Sequence, residues 1–129
     1  MAEIGIKRTV AKGFDEVLAR VPEVLKAEGF GVLTRIDVKQ TLKEKIGVDF
    51  RRYQILGACN PSFAHKALGI EPAVGVFLPC NVVVSENDGG GTTVRTVDPT
   101  KTIGEADLLL CEVAEEVKGR LSRVLAKLG

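Results

Sequence analysis

The sequence has no tryptophan, one tyrosine and five phenylalanines among its 129 residues. Proteins that bind single-stranded nucleic acid usually stack the bases on aromatic side chains along a positively charged groove. The formal net charge is only +1, so the chain also lacks the electrostatic field that attracts a nucleic acid or an anionic membrane surface. We therefore expect no nucleic-acid partner.

Long apolar runs are also missing. No segment approaches the roughly 18 consecutive apolar residues of a membrane-spanning helix, and the first ten residues, MAEIGIKRTV, lack the apolar core of a signal peptide. Cysteine is scarce, because three cysteines do not make the disulfide framework of a small secreted domain. We predict a cytoplasmic protein with no membrane partner.

The remaining composition is that of an ordinary globular domain, with 45% hydrophobic and 27% charged residues. A chain of this length is about one domain long, and it buries roughly two thirds of the surface that the unfolded chain would expose. No internal repeat, low-complexity tract or linker divides it. We predict a single domain over residues 1–129.

The spacing of the apolar residues predicts two long helices and five strands. Steps of three and four residues mark the helices, the first from Phe14 to Leu25 and the last from Ala106 to Leu128. Alternating or β-branched segments predict the strands, at residues 4–10, 30–36, 53–58, 74–85 and 92–97.

Short local signals predict the connections. Asp37 followed by Gln40 is typical of a helix N-cap, and Gly47 ends the short surface helix that follows. The run from Gly89 to Gly91 predicts a hairpin, so the fourth and fifth strands should be antiparallel neighbours. The predicted class is α+β, with an antiparallel sheet of about five strands, two long helices packed on one face, and short helical segments.

Most of the chemically capable side chains fall in one stretch, residues 56–84. This stretch holds two of the three cysteines, the only histidine and three of the five prolines. The same three residue types occur twice, as Cys-Asn-Pro at 59–61 and as Pro-Cys-Asn at 79–81. Between them, residues 64–68 predict a short helix, because proline is tolerated in a first turn and glycine follows. If the chain has a functional site, we expect it here.

These residues carry a resemblance to a known family. The pattern G-A-C-N-P at 57–61, then A-x-x-A-L at 64–68, then L-P-C-N-V-V-V at 78–84, ending at V-D-P at 97–99, resembles the bacterial and archaeal domain-of-unknown-function family numbered 302. The resemblance covers nearly the whole chain. It implies a compact α+β domain, an antiparallel sheet backed by helices, and no assigned activity.

Cys59, His65 and Cys80 are the main candidate site residues. Neighbouring strands would bring the two thiols close enough for a disulfide or a shared ligand, whereas buried cysteine often serves only as a small apolar residue. His65 would pair with a thiolate if the short helix faced the cysteines, or would lie exposed on that helix. The three residues supply at most three of the four ligands of a structural zinc, and we predict no metal site.

Asn60, Asn81 and Asp98 complete the candidate site. The two amides are available to orient a histidine, although asparagine beside a turn more often bonds the backbone. Asp98 would act as an acid or base if it lined a pocket with Cys80, and otherwise it ends a strand.

Two functions remain open. The first is a non-enzymatic domain that binds a small ligand or a partner protein around Cys59, His65 and Cys80. The alternative is a thiol-dependent enzyme, or a redox or metal protein, that uses the same residues. We favour binding because nothing in the sequence places a base against either cysteine, and no cofactor is indicated. We also expect a homodimer, since a second sheet face would otherwise expose apolar residues.

Overall fold

The computed structural model describes residues 3–129, and within them five strands form one antiparallel sheet. The order across the sheet is β1-β5-β4-β3-β2, so β2 to β5 follow one another as a meander and β1 lies beside β5. The predicted α+β class is therefore confirmed. The strands are β1 (Ile6–Val10), β2 (Gly31–Asp37), β3 (Tyr53–Cys59), β4 (Cys80–Glu86) and β5 (Thr92–Thr96).

Two long helices, α1 and α5, pack on the same face of this sheet, as predicted. Their apolar stripes form one core with the strand residues that face them, including the fully buried Leu56 and Val82. Burying one such side chain stabilises the fold by about 1.5–3 kcal/mol. No helix of residues 3–129 is long and apolar enough to cross a membrane. The helices are α1 (Phe14–Ala27), α2 (Val38–Ile46), α3 (Pro61–Ile70), α4 (Ile103–Ala106) and α5 (Cys111–Ala126).

The local signals in the sequence act as predicted. Asp37 caps α2 by accepting a hydrogen bond from the Gln40 amide at 3.0 Å, and Gly47 ends that helix with φ 67°. The glycines of the run 89–91 all have positive φ, between 81° and 100°, where other residues are strained. β4 and β5 pair antiparallel across this turn.

The prediction of a strand over residues 74–85 is wrong in its first part. Residues Pro72–Phe77 form a 3₁₀ helix, and β4 begins only at Cys80. The carboxylate of Glu71 accepts a hydrogen bond from the Ala73 amide at 2.9 Å, which starts this turn. A local side chain to backbone bond thus replaces strand pairing.

The last predicted helix is also interrupted. Asp107 accepts a hydrogen bond from the Leu109 amide at 2.8 Å and caps a 3₁₀ helix over Leu108–Leu110, so α5 begins only at Cys111. The apolar spacing continues across this break because it reflects which side chains are buried, and both the 3₁₀ helix and α5 bury apolar side chains. The short helix predicted at 64–68 is present and extends over the whole of α3.

The two faces of the sheet differ. Side chains alternate along a strand, so Leu56 and Val82 face α1 and α5, and their neighbours Ile55 and Val83 face the other way. We call the face turned away from α1 and α5 the distal face. Strand register brings Ile55, Val83, Arg95 and Lys7 into one row across it.

Candidate functional site

The first candidate site is a cavity where β3 ends and β4 begins. Cys59 is the last residue of β3 and Cys80 the first of β4, and Ala58 lies directly opposite Cys80 in the sheet. Both cysteines line the cavity, together with Asn60 and apolar side chains from α3 and α5. The cavity measures about 20 Å³, which is room for about one water molecule.

Asn60 lines this cavity and is the N-cap of α3. Its Oδ1 accepts a hydrogen bond from the Phe63 amide at 3.3 Å, and Pro61 occupies the first helical turn. Ala64 and Ala67 of the same helix then line the cavity. The Asn60 amide oxygen therefore serves the helix cap, which is the backbone role that its sequence context suggests.

The Cys80 thiol at the cavity is hard to ionise. Burial raises the pKa of the Cys80 thiol to about 11, and the charge of the nearby Cys59 thiolate adds to this shift. At pH 7 roughly one Cys80 in 10,000 is then a thiolate, which is the nucleophilic form. Cys59 is half-buried, Cys111 is exposed, and all three cysteines are free. Cys80 thus has the properties of a packing residue.

His65 lies on the exposed side of α3 and does not line the cavity. Helical spacing explains this, because Ala64 and Ala67 turn inwards while the two residues between them, His65 and Lys66, turn outwards. Within residues 3–129, no group of three or more His, Cys, Asp or Glu side chains is placed to hold a metal ion. The structure brings Cys59, Asn60 and Cys80 to one cavity and leaves His65 outside it.

Asn81 and Asp98 line a second recess, on the distal face. This recess measures about 430 Å³, and we call it the distal groove. Its lining includes Tyr53 of β3, Val83 of β4 and Arg95 of β5. Sites for small molecules usually measure about 300–1,000 Å³, so the distal groove has the size of a ligand site.

Asp98 forms one wall of the distal groove with a carboxylate that is fully engaged. One oxygen accepts hydrogen bonds from the Thr100 amide at 3.0 Å and the Thr100 hydroxyl at 2.6 Å, and the other pairs with Lys118 at 3.0 Å. Burial alone would raise the pKa of Asp98, but the bonds from Thr100 and Lys118 outweigh it and hold the pKa below its usual range. At neutral pH Asp98 is an ionised anchor for the turn.

Arg95 is the groove residue that the sequence reasoning missed. It lies in the middle of the distal face, between Lys7 of β1 and Val83 of β4. Its side chain is half-buried, its Nη1 donates a hydrogen bond to the Ser85 hydroxyl at 3.4 Å, and it forms no ion pair with any described residue. The available signal was a single charge inside the β-branched segment TTVRTV.

This arrangement of strands and helices is shared with proteins of known structure. The family model of DUF302, a domain of unknown function, matches residues 6–128. The chain belongs to the DUF302 family. A crystal structure of an uncharacterized conserved DUF302 protein from Bacillus stearothermophilus has 37% sequence identity to it and a TM-score of 0.90, with 99% of this chain and 100% of the other covered. No curated protein matches the chain. The resemblance predicted from the Cys-Asn-Pro and Leu-Pro-Cys segments is confirmed, and membership of DUF302 assigns no activity.

Proposed function

We propose that this DUF302 chain is a small-ligand-binding domain and that the distal groove holds the ligand. The observation that carries the proposal is that a groove of about 430 Å³ joins apolar and polar side chains, whereas the cavity beside the cysteines measures only about 20 Å³. Ligand sites combine apolar walls with a few placed polar groups. In the groove Tyr53 and Val83 supply apolar surface, and Asn81 and Arg95 supply polar groups.

The floor of the distal groove favours binding because it is already ordered. Val83 and Arg95 belong to β4 and β5, and each of these strands is paired on both sides. Side chains held by a paired strand lose little freedom when a ligand arrives, and this lowers the entropic cost of binding.

A ligand site around Cys59, His65 and Cys80 stays a prediction of the sequence. A ligand larger than a water molecule would enter that cavity only if α3 moved outwards. The packing of α3 suits such a movement, since Ala67 is its one buried residue. The distal groove needs no such movement and is therefore the stronger candidate.

The alternative function is a thiol-dependent enzyme, or a redox or metal protein, using the same three residues. A thiol nucleophile needs a base within hydrogen-bond reach and a thiolate at working pH. Cys80 is protonated at neutral pH, and the imidazole of His65 is outside the cavity. These observations favour binding over thiol catalysis.

A fragment screen by ligand-observed NMR tests the groove. Substituting Val83→Trp fills the groove from β4, so fragments that bind the unchanged protein should lose their binding. The matched control is Val76→Trp, the same change at a side chain that is 85% exposed and outside the groove. Ala67→Leu fills the cavity instead. Fragments that are lost in Ala67→Leu and kept in Val83→Trp would overturn the proposal, with circular dichroism checking that each variant folds.

We further propose that two copies associate through the β2 and β3 side of the distal face. Ile36, which is 47% exposed, lies beside Ile55 in the register of these strands, and neither residue lines the distal groove. A second copy would cover this apolar row. The groove residues Val83 and Arg95, which follow along the same row, would stay outside the contact.

A further inference from the structure

We infer that the ligand of the distal groove is an organic anion with an apolar body, and that Arg95 binds its anionic group. This inference rests on the proposed function. The groove is asymmetric along the row of the distal face, because Arg95 is cationic while its neighbour Val83 and the Tyr53 ring are apolar. A ligand that lies along this row meets charge at one end and hydrocarbon at the other.

The groove's own carboxylates are already paired. Asp98 is bound by Lys118 and Thr100, and Glu3 pairs with Lys7 at 3.7 Å. The two remaining cations of the lining, Arg95 and Lys101, form no ion pair with any residue from 3 to 129. The groove therefore presents two positive charges that the protein itself does not neutralise.

Arg95 is suited to hold an anion. A guanidinium is planar and donates two parallel hydrogen bonds to a carboxylate or phosphate, and such bonds are stronger than those between neutral groups. Half-burial removes part of the water around Arg95, so a bound anion restores interactions that solvent no longer supplies. The Ser85 hydroxyl, 3.4 Å from Nη1, helps to fix the direction of the side chain.

The apolar end of the groove selects the body of the ligand. Val83 is the direct neighbour of Arg95 in the register, and the Tyr53 ring lines the same groove. An aromatic or branched group attached to the anion would pack there and remove apolar surface from water. The Asn81 amide adds an NH₂ donor group and a carbonyl acceptor to the lining. An inorganic ion would use only the charged end.

Calorimetric titration with four probes tests this inference. The probes are phenylacetate, its uncharged analogue phenylacetamide, phenyl phosphate and inorganic phosphate. We expect the two aromatic anions to bind at least tenfold more tightly than phenylacetamide, and Arg95→Gln to remove that advantage. The matched control is Arg35→Gln, the same charge change at an exposed arginine that also lacks an ion pair and lies opposite Leu56, away from the distal face. Arg95→Lys keeps the charge without the planar fork and should give intermediate affinity.

The outcomes of these titrations distinguish the role of Arg95, the apolar body of the ligand and the proposed function. Equal binding of phenylacetate and phenylacetamide, both lost in Val83→Trp, would overturn the role of Arg95 and leave the proposed function standing. If inorganic phosphate binds as tightly as phenyl phosphate, the inference that the ligand has an apolar body is overturned. Loss of anion binding in Arg35→Gln to the same extent as in Arg95→Gln would show that net charge alone causes the loss, and it would overturn the role of Arg95. Binding of none of the probes, with no fragment lost in Val83→Trp, would overturn the proposed function itself.

Discussion

Cys59 and Cys80 lie one register step apart across β3 and β4, yet they should react at very different rates. A cysteine reacts with iodoacetamide as the thiolate, which displaces iodide, and burial keeps Cys80 protonated with a pKa of about 11. At pH 8 we expect rapid labelling of the exposed Cys111, slower labelling of the half-buried Cys59, and almost none of Cys80 until the protein unfolds. Mass spectrometry of the digested protein measures all three positions in one sample.

The pH dependence of labelling gives the control. The rate at Cys80 should rise about tenfold for each pH unit until about pH 11, whereas unfolded protein should label all three cysteines alike. Labelling of Cys80 in the folded protein at the rate of Cys111 would contradict the burial of this thiol. The variant Cys111→Ser removes the fastest site and leaves the other two to be compared directly.

Residues whose role is local could be predicted from the sequence, and residues whose role is tertiary could not. The caps at Asp37 and Asn60 depend on the three residues that follow, so their sequence context is sufficient. Asn81 and Cys80 are adjacent in the sequence but face opposite sides of the sheet, which only strand direction reveals. Arg95 was missed because its neighbours Lys7 and Val83 are known only from strand register.

At the scale of elements, Glu28 connects the end of α1 to α5. Its carboxylate pairs with Arg123 at 3.0 Å and with Lys127 at 3.3 Å, and its carbonyl accepts a hydrogen bond from Arg120 at 2.8 Å. Burial of the side chain raises the pKa of Glu28, but the bonds from Arg123 and Lys127 outweigh burial and lower it overall. The ionised form therefore holds the two long helices together.

Acid should weaken this connection. Because the pKa of Glu28 is lower in the folded protein than in the unfolded chain, its stabilisation is fully present above about pH 4.5 and is lost as the pH falls through the folded value. Asp98 acts in the same direction from its usual value of 3.8. We expect the free energy of unfolding in urea to stay level from pH 7 to 5 and to fall at lower pH.

Substitution of Glu28 separates the loss of its contact with α5 from other effects of acid on stability. Glu28→Gln should lower stability at pH 7 and flatten the decline below pH 4.5, because the titrating group is gone. Glu115→Gln, at an exposed position of α5, should change neither. An unchanged acid decline in Glu28→Gln would show that the contact with α5 contributes nothing to the pH dependence.

Element type was predicted well where the apolar spacing and the local caps agree, as in α1 and in the β4–β5 hairpin. The prediction failed where a hydrogen bond to a single side chain, rather than the apolar spacing, determines the local backbone. Glu71 and Asp107 each bind a nearby amide and start a 3₁₀ turn within an apolar segment. Such a turn forms only where the surrounding core accommodates it, and the packing of the core is a tertiary property.

At the scale of the whole molecule, light scattering coupled to size-exclusion chromatography tests the proposed homodimer. We expect a dimer at micromolar concentration. Ile36→Lys places a charge in the apolar row of the distal face and should shift the equilibrium to monomer. The matched control is Val76→Lys, at a side chain 85% exposed elsewhere. A monomer for the unchanged protein would contradict the proposal.

The fold class of the whole molecule could be predicted because two long apolar stripes and five strand segments leave few layered arrangements. The position of β1 could not be predicted. Its segment pairs with β5, and the Arg8 side chain donates to the carbonyl of Leu125, 117 residues away, at 3.0 Å. Contacts at such separation leave no local pattern in the sequence.

The position of β1 also sets the order in which the sheet can form on the ribosome. Of the five strands, β1 is synthesised first, but its only neighbour in the sheet, β5, is synthesised last. The segment Ile6–Val10 therefore stays unpaired while the other four strands emerge, and an unpaired strand can pair with other chains. Lys7 and Arg8 place two positive charges in this segment, and charged side chains discourage such pairing. After β5 is made, Arg8 closes the C-terminal end of α5, so the charge that protects the nascent strand stabilises the finished domain.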